Sequence, residues 1–191
     1  LRIRLQSGQI GLLRGDRVAG CCSARYRFLP SAEAVTRFLA TGALGTLRVI
    51  RARAIAPAGP PPDSTPPAWR LIKGLNGGGI LANWGCYDLD YLLGITGWSL
   101  RPQMVLAQTW TVPPLFEPHV APGSDAETHV AALIRCQDGA VITYERGEYM
   151  AAHGEEAWQI IGSQGSLRLH MHPGAGKTIV HDRGSTQEGV T

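Results

Sequence analysis

Gly77-Gly78-Gly79-Ile80-Leu81-Ala82-Asn83-Trp84-Gly85-Cys86-Tyr87-Asp88-Leu89-Asp90 is the one stretch of this chain where polar chemistry recurs at helical spacing inside an apolar run. Three glycines give an approach whose backbone can come close to a ligand, and the residues through about Gly94 have the apolar content and length of a buried helix. Asn83, Tyr87 and Asp90 stand at i, i+4 and i+7, which puts an amide, a phenol and a carboxylate on one stripe. Leu81, Leu89, Leu92 and Leu93 lie largely off that stripe and seat the helix on the core. An amide and a phenol one turn apart can hold a sugar hydroxyl or carbonyl, the phenol as proton donor and the amide as positioning group. The plainer reading of the same residues is a glycine-rich helix start with a satisfied Tyr and Asn facing a groove.

The 191 residues, 44% hydrophobic and 17% charged, suit a single globular domain with one good core. The net charge is +3, Lys73 and Lys177 are the only lysines, and the arginines are scattered. With no basic block and no aromatic-basic interleaving, a nucleic-acid partner is not expected. Cys21, Cys22, Cys86 and Cys136 show no CxxC spacing, and no apolar run approaches the roughly 18 residues of a membrane span. The expectation is therefore a reduced, cytoplasmic protein with no membrane partner. The chain opens on Leu1 with no signal-peptide pattern, which suggests a sequence that begins part-way through a longer polypeptide. Residues 1–20 then read as a leader or remnant of a preceding domain, and 21–191 as the domain proper.

Outward from the helix, Arg17 to Phe28 reads as a strand running into Leu29-Pro30. Ser31 is the expected N-cap of a short amphipathic helix carrying Ala34, Val35, Phe38 and Leu39, which Gly42 stops. Leu47 to Ile55 reads as a strand with Val49, Arg51 and Arg53 on one face. Pro57, Pro60, Pro61, Pro62, Pro66 and Pro67 make the next segment a loop long enough to reach over a site. It ends at Trp69-Arg70, where an arginine can bind hydroxyls or a carboxylate in fork geometry and a tryptophan can stack on a sugar face. A surface loop with one buried tryptophan is the competing reading.

After the helix, Met104 to Val112 reads as a strand, and residues 115–126 as irregular. Thr128 to Cys136 and Ala140 to Tyr149 form a hairpin on Asp138-Gly139. Trp158 to Ile161 and Ser166 to His172 pair around Gly162-Ser163-Gln164-Gly165, and Thr178 to Val180 is a short strand candidate. One site helix among so many strands implies an α+β fold: an open, predominantly antiparallel mixed sheet with helices packed on one face.

Position by position, the helix resembles the signature GGG-x-L-x-D-x-G-x-H-x-x-D of the Gfo/Idh/MocA family (glucose-fructose oxidoreductase, inositol dehydrogenase, rhizopine catabolism). Gly77 to Gly79, Leu81, Gly85 and Asp90 match; Asn83 replaces the common aspartate, and Tyr87 the common proton-transfer histidine. Some branches, glucose-fructose oxidoreductase among them, carry a tyrosine there. The Gly42 to Gly45 turn, the strand after it and the Trp69-Arg70 pair also fit the pattern. The resemblance implies the substrate-binding and dimerisation domain of an NAD- or NADP-dependent oxidoreductase acting on a sugar, cyclitol or related hydroxy compound. Its fold would be the C-terminal one shared with glyceraldehyde-3-phosphate dehydrogenase. Tyr87 would be the catalytic residue, with Asn83, Arg70, Trp69 and Asp90 binding substrate.

No G-x-G-x-x-G follows a strand here, so the dinucleotide would sit mainly on an N-terminal Rossmann domain absent from this chain. Gly78 and Gly79 are the candidate cofactor contacts within it. Alone, the chain should be inactive. The alternative is a non-catalytic ligand-binding or dimerisation module of the same descent, and under either reading an open sheet face implies a homo-oligomer. His170, His172 and His181-Asp182 lack an organised fourth ligand and are not expected to bind metal. Glu145, Glu148, Glu155 and Glu156 show no spacing that pairs them as acid and base.

Overall fold

The computed structural model describes residues 25–170 and 178–191. The segment 1–20, the strand expected over Val18 to Ala24, Cys21, Cys22, His172 and Lys177 lie outside them. Strand β1 (Leu47–Pro57) shows how the sheet acquires two unlike faces: Ile50 and Ala52 are buried, while Arg51 and Arg53, alternating with them, are exposed. Because side chains alternate along a strand, one face takes the core and the other takes water.

β1 lies mid-sheet, parallel to β4 (Val141–Met150) and antiparallel to β5 (Glu155–Gly162), so Ile50 sits between Ile142 and Ile160. All three isoleucines are fully buried, each contributing about 1.5–3 kcal/mol. β2 (Pro102–Trp110), β3 (His129–Cys136) and β4 form an antiparallel meander, with Gly139 at φ 88° in the expected Asp-Gly turn. Beyond β5 come β6 (Gly165–Leu169), β7 (Val180–Ser185) and β8 (Gly189–Val190), giving the order β2-β3-β4-β1-β5-β6-β7-β8. The open, mostly antiparallel sheet expected from the sequence is present; its one parallel pair, β1–β4, is reached through the helical layer.

That layer holds α1 (Pro30–Ala40), the single turn α2 (Lys73–Asn76) and α3 (Cys86–Ile95). Tyr91, Leu92 and Ile95 of α3 and Val35 of α1 are fully buried in the core that also takes Ile50, Ile142, Trp158 and Ile160.

Four expectations need correction. Arg25–Phe28 is a 3-10 turn, not strand. α1 starts at Pro30, whose fixed φ suits a first helical position, so Leu29 is the N-cap and Ser31 lies inside the first turn. Pro114–His119 is a 3-10 turn within the loop read as irregular. The glycine-led helix is not continuous: Leu81–Gly85 is a π-turn, and the regular α-helix begins only at Cys86.

Candidate functional site

The glycine run is shaped by Glu127. Gly79 N–H donates to Glu127 Oε1 at 2.9 Å and Ile80 N–H to the Glu127 carbonyl at 2.7 Å. A Cβ on Gly79 would overlap that carbonyl oxygen, so glycine is required there by close approach of backbone to backbone. The two amides are thus spent inside the chain, and the run offers no phosphate cradle of the Rossmann kind.

The π-turn then decides where the expected stripe faces. Widening one turn to i→i+5 bonding shifts the phase of everything before it relative to α3. Tyr87 and Asp90 still share a face, both against the Arg25–Phe28 turn. The Tyr87 ring meets buried Tyr26 edge-on at 5.6 Å, and Asp90 Oδ2 lies 3.0 Å from Arg27 Nε. That contact is an ion pair without hydrogen-bond geometry, since neither atom makes a hydrogen bond among the described residues. Arg27 also lies 4.5 Å over the Phe28 ring. Asn83, within the π-turn, is exposed.

The π-turn sends Trp84 inward, its ring 6.3 Å from that of Tyr87. Trp84 is one wall of a cavity of about 480 Å³ at the end of β1 and β4, lined also by Arg70, Ile80, Arg146, Glu148 and Glu156. Arg70, one of the predicted site residues, donates from Nη2 to Glu148 Oε2 at 2.7 Å. β4 bends here: Tyr149 has φ 58° and the β1–β4 register shifts between Ile55 and Pro57. A left-handed φ on a tyrosine is uncommon and marks a place where the chain is forced to turn. Trp69, next to Arg70, is half exposed and does not line the cavity.

Sequence reasoning missed the group behind the cavity wall. Asp88 is fully buried; Tyr144 Oη donates to its Oδ2 at 2.8 Å, and Arg146 Nε approaches the same oxygen at 3.4 Å. Its Oδ1 has no hydrogen-bond partner among the described residues. Desolvation pushes the Asp88 carboxyl up to about 6, against the opposing pull of Arg146 and Tyr144, with Glu156 adding to the rise. Burial and the adjacent carboxylate push the Tyr144 phenol far up, so it stays a donor. The Arg146 guanidinium lies over Trp84, its central carbon 4.6 Å from the ring centroid. Asp88 and Arg146 are far apart in sequence and meet only through the pairing of α3 with β4, so no motif announces them.

On the opposite face, carboxylates without a spacing rule find partners across strands. Arg53 bridges Glu145 at 2.8 Å and Glu155 at 2.6 Å, and His129 meets Glu145 at 3.1 Å. Among the described residues no three His, Cys, Asp or Glu side chains are grouped to hold a metal, and no helix is long and apolar enough to cross a membrane.

The architecture is a two-layer domain, a sheet under a helical layer whose glycine-led segment walls the cavity through Ile80 and Trp84. Residues 32–168 match the GFO/IDH/MocA C-terminal domain, and the chain belongs to that family. Its fold is shared with solved structures, among them the following. An oxidoreductase domain protein from Kribbella flavida has a TM-score of 0.69 at 23% identity, covering 88% of this chain and 44% of its own. Levoglucosan dehydrogenase in complex with NADH and levoglucosan has 0.67 at 22%, covering 88% and 45%. An NAD binding oxidoreductase from Klebsiella pneumoniae has 0.68 at 19%, covering 88% and 44%. The chain thus spans less than half the length of each. No curated protein sequence matches it.

Proposed function

We propose that this chain is the substrate-binding and dimerisation domain of an NAD- or NADP-dependent oxidoreductase acting on a sugar, cyclitol or related hydroxy compound. The observation that carries the reading is a cavity beside the family's helix: Trp84 and Arg70 line it, and Tyr87, which is not in its lining, packs against Trp84. The fold shared with levoglucosan dehydrogenase, solved with NADH and levoglucosan, supports it.

A nicotinamide dinucleotide, which a preceding domain would mainly hold, would supply the hydride chemistry at the substrate carbon. This chain's residues handle the rest. Tyr87 exchanges the hydroxyl proton through its phenol, which Tyr26 and Trp84 hold in place. Arg70, steadied by Glu148, donates to substrate hydroxyls, while Asn83 and Trp69, exposed and outside the cavity lining, are left as contacts for parts of a ligand that reach beyond it. Asp90 serves the site by fixing, through Arg27, the turn that carries Tyr26. Gly78 and Gly79 lie at the approach to this helix, but with the Gly79 amide bonded to Glu127 they add little to nucleotide affinity. Asn83 does not titrate, so proton exchange runs through Tyr87 alone.

Titration with NADH and NADPH, followed by nicotinamide fluorescence, tests the division of labour. The chain joined to its upstream polypeptide is expected to bind one of the two, and the 191-residue chain alone neither. Tight binding by the isolated chain, or none by the joined one, contradicts the proposal; the second outcome favours the non-catalytic module.

A further inference from the structure

We propose that Arg146 is a substrate-contacting residue of the cavity, donating to adjacent hydroxyls of an uncharged sugar ring, and that Asp88 and Tyr144 are the residues that position it. The inference rests on the reading of that cavity as the substrate site.

Arg146 lies on the cavity wall with only 13% of its side chain exposed, and its contacts with Asp88 and Trp84 fix its direction. Asp88 engages Nε from behind, and Trp84 supports the guanidinium plane from below. A guanidinium carries one N–H on Nε and four on its terminal nitrogens, so a hold on Nε leaves the planar fork for a ligand. Arg70, the other arginine of the cavity, is bound at a terminal nitrogen by Glu148 and is the less available of the two. Of the remaining charged walls, Glu148 is paired with Arg70 and Glu155 with Arg53, and with Glu156 they put three carboxylates beside the two arginines of the lining, an excess of negative charge that disfavours a ligand carboxylate. A neutral polyhydroxylated ring therefore suits the cavity better than a sugar acid.

Asp88 makes this contact titratable. The groups around it are Tyr144 and Arg146 on β4 and Glu156 on β5; on its own helix, Cys86 bears on Tyr144, and Tyr91 feels Glu156. Of these, Tyr144 and Tyr91 are held protonated by burial. When the Asp88 carboxyl takes up a proton, near pH 6, the charge that holds Arg146 is lost. Ligand affinity should then fall on acidification.

The test is NMR titration of the chain with D-glucose, with D-glucuronate as the acidic counterpart, following the Arg146 Nε–H resonance and ligand saturation transfer from pH 5 to 7.5. Wild type is expected to bind glucose more tightly than glucuronate, with the Arg146 resonance moving on titration and the Kd rising several-fold as pH falls through 6. Arg146→Met should weaken binding at least tenfold, and Arg146→Lys, lacking the fork, should not restore it. Asp88→Asn should weaken glucose binding at pH 7.5 and abolish the pH dependence, a result that a purely structural role would not give. Tyr144→Phe should weaken it in the same direction.

The inference is overturned if glucose leaves the Arg146 resonance unmoved, if Arg146→Met binds as wild type does, or if Asp88→Asn keeps the wild-type pH profile. It can fail while the joined enzyme still turns over a sugar, and it can stand if the upstream polypeptide binds no nucleotide. The two readings therefore fail separately.

Discussion

Asp88 is fully buried, and because Arg146 approaches it only at 3.4 Å the ion pair does not offset desolvation; the carboxyl therefore titrates near 6 instead of near 3.9, the ordinary aspartate value. The folded value lies above the unfolded one, so between about pH 4 and 6 the folded chain binds a proton that the unfolded chain has released. Stability from this group is present below pH 4 and lost as pH rises through 6, a change of about 3 kcal/mol. Urea unfolding of wild type and Asp88→Asn across pH 4 to 7.5 should show this falling component in wild type and its absence in the variant. Equal slopes would mean that Asp88 is not desolvated. Nothing in the sequence marks this residue, because burial and the Tyr144 and Arg146 contacts arise from tertiary pairing.

Among elements, the glycine-led helix owes its placement to a contact rather than to propensity. Its first residues are bonded to Glu127, and the π-turn follows directly. Gly79→Ala would push a methyl into the Glu127 carbonyl, so it should cost about 3 kcal/mol or more in chemical denaturation. Gly77→Ala tests a different demand at φ 80° with open space around it and should cost only about 1 kcal/mol. Similar losses at both positions would show that backbone freedom, not close approach, sets the need for glycine at Gly79.

The strands and the hairpin were legible because alternation at β1 and Asp138-Gly139 are local signals. The π-turn was not legible: i→i+5 bonding leaves no periodic mark in five residues, so Asn83 was assigned to the Tyr87 stripe although it faces solvent. Arg70 lines the cavity and pairs there with Glu148, a carboxylate whose spacing in the sequence gives it no acid–base partner and no hint of this one.

At the scale of the molecule, the sheet leaves one broad face uncovered. Leu106, Leu133, Thr143 and Arg51 form a row across β2, β3, β4 and β1, and Leu106 is 73% exposed with Met104 and Leu133 beside it. Exposed apolar side chains grouped on one face favour self-association. Leu106→Glu should therefore convert a dimer to a monomer in sedimentation equilibrium while leaving the far-UV circular dichroism unchanged. A wild-type monomer at tens of micromolar would contradict self-association through this face.

Tyr87 is proposed to exchange the substrate proton in an oxidoreductase assembled from this chain and a dinucleotide-binding domain. Turnover of the joined protein against a sugar and polyol panel, with NAD and NADP, measures it for wild type and Tyr87→Phe. Loss of about 10²–10⁴-fold in kcat with nucleotide affinity unchanged is the predicted result; undiminished kcat in Tyr87→Phe would contradict it.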